Sequence, residues 1–333
     1  MPPFSRRAFI HNAGALALLA PQAAAAKSPL DETGFVSIGG LEQWVAVQGQ
    51  DAENPAILYL HGGPGEAQSP FLAQFRPWEQ DFTLINWDQR GSGKTYGRNG
   101  ASTPDMTLDR MASDTVAVTE YALQRLGKPK LILVGQSWGA ILGLVAIQRR
   151  PELFYAFVGT GQPVNATLTI EDREGWARTQ AANDSAALKQ LDDVSSLSPT
   201  DVKRVMASRK WMMAPSDLAY LQIQKQFTGP PPFPTEGAVA DWVAGYQFTG
   251  RKLYAESMAF DARKSAMNMP IPCFVIQGRD DHVTPFDAAQ TYVRDLRAPQ
   301  KTFVAIDGGH YACFTNADQF LRAMRKFVMP LVT

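Results

Sequence analysis

A series of short, mainly apolar runs, alternating with amphipathic stretches, constrains this chain more than any other feature. The runs are Ala56–Leu60, Phe82–Trp87, Leu131–Val134, Ala156–Val158, Cys273–Gln277 and Thr302–Ile306. A strand without polar alternation is buried on both faces, as in a parallel sheet covered by helices. The intervening segments predict helices at Leu108–Leu126, Ala140–Arg149, Phe286–Leu296 and Ala317–Phe327. Strand–helix alternation of this kind predicts an α/β sheet. Ahead of it, Phe35–Ile38 and Gln43–Val47 flank Gly39-Gly40 and read as a hairpin. The alternation stops between about residues 163 and 263. That stretch is rich in Trp, Met and Tyr, shows no strand run and carries the Pro-rich segment 229–234. We expect a helical cap at 163–263, inserted into a core made of 27–162 and 264–333.

The first 26 residues read as an address. Arg6-Arg7 precedes a short apolar run, Ala13–Ala20, and an Ala-rich end. These are the three parts of a secretory signal, too short to span a bilayer. Paired Arg ahead of Phe9 resembles a twin-arginine signal, so the expected partner is the twin-arginine export machinery of a bacterium. The expected location is periplasmic or secreted, without stable membrane insertion. The whole chain has 32 basic and 32 acidic side chains. Removing the leader takes away two Arg and no acid, so the remainder is slightly acidic. A chain without net positive charge lacks the footprint of a nucleic-acid binder. Four His and two Cys leave little for a structural zinc site, and no metal is expected.

Chemistry concentrates in Gly135-Gln136-Ser137-Trp138-Gly139, which follows a strand run and opens a helical stretch. That is the context of a G-x-S-x-G nucleophile elbow, where small neighbours let the Ser oxygen stand clear of the backbone. A Ser nucleophile needs a base. His11 lies in the leader, His282 abuts the acid candidates and His61 belongs to a Gly-rich loop. His310, just after the last strand, remains. An acid must orient the imidazole. Asp280 and Asp281 both follow the strand Cys273–Gln277; we favour Asp281, with Pro285 four residues on, and expect Asp280 to be solvated. Ser, Asp, His is the α/β-hydrolase chain order. In His61-Gly62-Gly63-Pro64-Gly65, glycines let backbone N–H groups turn toward a substrate. We expect the N–H groups of Gly63 and Trp138 to form an oxyanion hole, with His61 bracing the loop and Gly62 lining the site. Asp88 and Arg90 are expected to organise their loop by ion pairing and backbone hydrogen bonds.

His61–Gly65, Trp87-Asp88-Gln89-Arg90-Gly91-Ser92-Gly93 and Gly135–Gly139, with Gly278–Asp281 and Gly309-His310, resemble the proline iminopeptidase family of α/β hydrolases. The motifs run from residue 61 to 310. The resemblance implies an α/β-hydrolase fold: a mostly parallel eight-stranded sheet flanked by helices, with an inserted helical cap. It implies a serine hydrolase without cofactor that removes an N-terminal residue, often Pro, from small peptides; relatives hydrolyse amides and esters. Two departures bear on substrate. Position 136 is Gln, where many iminopeptidases have Gly, and no cap Glu matches with assurance the carboxylates that hold the substrate amine. Glu171, Glu174, Glu236 and Glu256 are candidates, with Gln162 at the exit of the sixth strand. Rival readings are an esterase, lactone or amide hydrolase, and a silent hydrolase fold used for binding.

Gly93-Lys94-Thr95 suggests a phosphate loop, but Asp88 stands where the first glycine of that motif belongs and would repel phosphate. Asn165-Ala166-Thr167 and Asn183-Asp184-Ser185 match the glycosylation sequon, which a bacterial exporter does not use by default. Cys273 opens its strand and Cys313 lies past the end of the next, roughly 15 Å away. Bridged Cα atoms lie within about 7 Å, so two buried free thiols are expected.

Overall fold

The computed structural model describes residues 28–227 and 236–332; the expectations for residues 1–26 and for the Pro-rich segment fall outside them. The strands are β1 (Leu30–Ile38), β2 (Leu41–Gly49), β3 (Ala56–Leu60), β4 (Thr83–Trp87), β5 (Leu131–Gln136), β6 (Phe154–Thr160), β7 (Cys273–Gly278) and β8 (Lys301–Ile306). The helices are α1 (Gly93–Asn99), α2 (Leu108–Leu126), α3 (Trp138–Arg149), α4 (Ala166–Gln180), α5 (Ser185–Val194), α6 (Val202–Arg209), α7 (Pro215–Phe227), α8 (Glu236–Ala259), α9 (Ala262–Ser265), α10 (Phe286–Asp295), α11 (Ala312–Thr315) and α12 (Ala317–Ala323).

All eight strands form one sheet, ordered β1-β2-β4-β3-β5-β6-β7-β8. The pairs of β2 are antiparallel and the rest parallel. Gly39 and Gly40 both take positive φ, which a two-residue hairpin turn requires, and close β1 onto β2. Along β5, Leu131 and Leu133 pack into one apolar cluster and Ile132 and Val134 into the other. The first cluster holds α2, α3 and α10; the second holds Phe75, Trp78 and α12. Burial on both faces is why these strands read as continuous apolar runs.

α2 matches its sequence pattern end to end. It starts where the Thr107 side chain accepts from the Arg110 N–H and stops at Gly127 in the left-handed region. Of the expected elements, two depart most from their expected bounds. β1 begins at Leu30 rather than Phe35, because main-chain pairing to β2 carries an edge strand whose side chains are mostly exposed. The last helix changes at Met324 into a π turn, Met324–Val328, that keeps Met324 and Val328 buried. Between β6 and β7 the described chain forms α4–α9 and no strand. Both Cys are buried and free. No described helix is long and apolar enough to cross a membrane.

Candidate active site

Ser137 sits on the turn from β5 into α3 with φ 54° and ψ −119°, a conformation that costs a non-Gly residue about 1–3 kcal/mol. The turn is held by Ser137 N–H to Thr160 O at 3.0 Å and Ala140 N–H to Ser137 O at 2.8 Å. Its glycines are spatially obligatory. A Cβ on Gly135 would lie 2.5 Å from Gly139 O, and one on Gly139 would lie 2.0 Å from Leu60 O. Ser137 is partly exposed while both its neighbours are buried.

His310 follows β8 and Asp281 follows β7, adjacent parallel strands. His310 Nδ1 lies 3.1 Å from Asp281 Oδ2 and 3.3 Å from Oδ1. Asp281 also accepts from Gln277 Nε2 (2.8 Å), Val283 N–H (2.9 Å), Thr284 N–H (2.8 Å) and the Thr284 hydroxyl (2.9 Å). An ionised carboxylate only accepts, so His310 Nδ1 carries the proton and Nε2 is left as the basic nitrogen. Burial disfavours the His310 imidazolium. The charge and hydrogen bond of Asp281, with the charges of Asp217 and Glu66, outweigh that and hold its pKa above the ordinary value. Asp280 is exposed, whereas Asp281 is buried. The His310 ring packs on Gly161, where a Cβ would lie 2.7 Å from Cε1. Gly161 directly follows Thr160, the residue that accepts from the Ser137 N–H, so the exit of β6 touches both the His310 ring and the Ser137 turn.

The glycine loop after β3 lies on the other side. A Cβ on Gly62 would lie 3.2 Å from Ser137 Cβ. Gly63 has φ 110° and precedes a cis peptide bond to Pro64. Among the described residues, neither the Gly63 N–H nor the Trp138 N–H meets an acceptor. His61 is fully buried. Its Nε2 accepts from the Gln89 N–H at 3.2 Å and its Nδ1 donates to Gly62 O at 3.0 Å. Burial pulls its pKa down to about 4, so it braces the loop as a neutral ring. Gln89 returns a bond from Nε2 to His61 O (3.1 Å) and accepts from Trp138 Nε1 (3.1 Å).

Arg90 is buried. Its Nε donates to Asp114 Oδ2 at 2.7 Å, and its other nitrogens reach Pro104 O and Gly39 O. Asp88 accepts from the Ser69 and Lys94 N–H groups, and burial raises its pKa to about 6. Both side chains therefore organise loops.

Of the acidic cap candidates, two have partners of their own. Glu171 is exposed on α4. Glu174 forms a two-pronged ion pair with Arg204 inside the cap. Glu256 accepts from Leu108 N–H at the start of α2. The side chain of Glu236 lies outside the described residues. Gln162 is buried; its N–H donates to Gln277 Oε1 and its own amide to Pro163 O. His282 pairs with Asp172 of α4 at 2.9 Å and stacks on Trp176, 4.2 Å between centroids. Sequence reasoning missed Gln277 and Thr284, which orient Asp281, and Asp217 and Glu66, which bring charge to His310. Only Gln277, a polar residue ending an apolar run, carried a visible signal.

No group of three or more metal-ligating side chains is present among the described residues. A family model described as the alpha/beta hydrolase fold matches residues 55–317. The chain is 31% identical over 289 residues to the probable aminopeptidase YbaC of Bacillus subtilis (strain 168), covering 80% of this chain and 86% of that one. It is 23% identical over 304 residues to a proline iminopeptidase of Lacticaseibacillus rhamnosus (strain Lc 705), covering 89% and 97%. Among solved structures, a proline iminopeptidase of Mycobacterium smegmatis superposes with a TM-score of 0.60 at 20% identity, covering 90% of this chain and 98% of that one.

Proposed function

The chain belongs to the α/β hydrolase family, and from that premise we propose that it is a serine hydrolase of aminopeptidase type, cleaving the bond after an N-terminal residue such as Pro in small peptides. The observation that supports the reading is the Asp281–His310 pair, together with a serine on a strained, glycine-flanked turn.

In this scheme Ser137 Oγ attacks the substrate carbonyl carbon as His310 Nε2 takes its proton. The carbonyl oxygen becomes an oxyanion, held by the N–H groups of Gly63 and Trp138. The intermediate collapses, His310 gives its proton to the leaving amine, and an acyl-enzyme remains. Water then attacks that ester with His310 again as base, releasing the acid and restoring Ser137. Asp281 keeps the imidazole oriented and stabilises its charged form. The buried acids Glu66 and Asp217 near His310 favour a cationic group in the site, as a free N-terminal amine would supply.

The leader pattern at residues 1–26 supports export by the twin-arginine route to the periplasm or medium.

The test is a comparison of kcat/KM for a prolyl arylamide, its N-acetylated form, other aminoacyl arylamides and short acyl esters. The reading expects turnover of free-amine arylamides and near-total loss on N-acetylation. Preference for acyl esters, with no benefit from a free amine, would move the assignment to an esterase.

A further inference from the structure

The catalytic base is gripped from the cap. Asp217 lies in the first turn of α7, remote in sequence from the loop after β8, and is fully buried. Its Oδ2 accepts from the backbone N–H of His310 at 2.8 Å, and its Oδ1 from that of Tyr311 at 3.0 Å. The fit depends on the preceding residue: a Cβ on Gly309 would lie 2.1 Å from Asp217 Oδ2 and 2.7 Å from Ala214 Cβ. One turn further along α7, the Tyr220 ring packs on Tyr311 at 4.7 Å between centroids, and its hydroxyl donates to Gln74 at 2.6 Å. A buried carboxylate whose bonds both go to the backbone of the base loop is spent on placing that loop.

We propose that Asp217 is a positioning residue, a cap carboxylate that fixes the backbone carrying His310 and so makes placement of the base conditional on cap docking. This rests on the reading of Ser137, His310 and Asp281 as the catalytic triad. The charged or titratable groups facing His310 are Asp281 from the loop after β7, Glu66 from the glycine loop, Asp217 from α7 and the adjacent Tyr311. Asp217→Asn removes one of the negative charges that favour the imidazolium, and turns an amide donor toward a backbone donor.

The experiment follows the rate of fluorophosphonate labelling of Ser137 against pH, with folding checked by circular dichroism. Folded Asp217→Asn is expected to label about 10- to 100-fold more slowly, with its midpoint moved to lower pH. A purely structural role would leave the midpoint unmoved. Gly309→Ala, which keeps the charge but pushes the carboxylate away, is the second variant and also slows labelling; it decides the matter if Asp217→Asn does not fold. Wild-type rate and midpoint in either folded variant overturn the proposal. Absence of label on the wild-type protein would instead defeat the triad reading itself.

Discussion

The Gln89 carboxamide joins Trp138 to the glycine loop: its Oε1 accepts from the Trp138 indole at 3.1 Å while its Nε2 donates to His61 O at 3.1 Å. The two N–H groups proposed to hold the oxyanion, on Gly63 and Trp138, are thus carried by segments braced through one side chain. Gln89→Leu leaves a buried indole N–H and a buried carbonyl unpaired. We expect a stability loss of about 2–4 kcal/mol in urea titration. We also expect kcat to fall about 10- to 100-fold with KM little changed, since the affected donors act mainly on the transition state.

His61 provides a test by pH. Its pKa of about 4 in the fold lies below the ordinary 6.5. Between those values the unfolded chain binds a proton that the folded chain refuses, so this group's contribution falls as pH drops through that window. Asp88, raised to about 6 by burial, gains a proton in the folded state first and acts in the opposite direction. The His61 effect is therefore read as a difference. The stability advantage of wild type over His61→Asn should shrink by about 3 kcal/mol between pH 7 and pH 4. A constant difference across that range would contradict the neutral, buried ring.

In the proposed mechanism the Asp281–His310 pair sets the acid limb of the rate profile. As the proposed base, His310 would work as neutral imidazole, and its pKa is held above the ordinary value, so kcat/KM should fall as pH drops through a midpoint above 6.5. Asp281→Asn removes the leading charge that raises it and unsettles the tautomer. We expect kcat to drop about 10³- to 10⁴-fold and the residual activity to show a lower midpoint. Asp280→Asn, at an exposed position, should change kcat less than about threefold.

Arg90 and Asp114 form a pair that is 1% and 0% exposed, and Asp114 also accepts from Gln43 at 2.8 Å. Asp114→Ala leaves a guanidinium buried without its counter-charge. The expected cost is about 3–5 kcal/mol in denaturant titration.

How far the fold could be read from the chain follows from where each segment is buried. β3 and β5 were legible because both faces are covered, which writes an unbroken apolar run. α2 was legible because one long stripe faces the sheet and Thr107 and Gly127 mark its ends. α1, Gly93–Asn99, was not: it is short and polar, and its form depends on packing against α8. The site divides the same way. Ser137, Asp281 and His310 sit at strand ends beside glycines, in a local context that sequence records. Asp217 and Glu66 act through bonds made across the fold, to the His310 and Tyr311 N–H groups and to the Tyr311 hydroxyl, and nothing near them in the chain announces that. Glu174 and Glu256 likewise have partners far away in sequence, Arg204 and the Leu108 N–H, which the chain does not announce.

The most direct test is covalent labelling with a fluorophosphonate probe, located by mass spectrometry, alongside Ser137→Ala. The account predicts one adduct on the peptide holding Ser137, and a folded variant that neither labels nor turns over a prolyl arylamide. Folded protein without an adduct on Ser137, or a Ser137→Ala variant that keeps wild-type turnover, would contradict it.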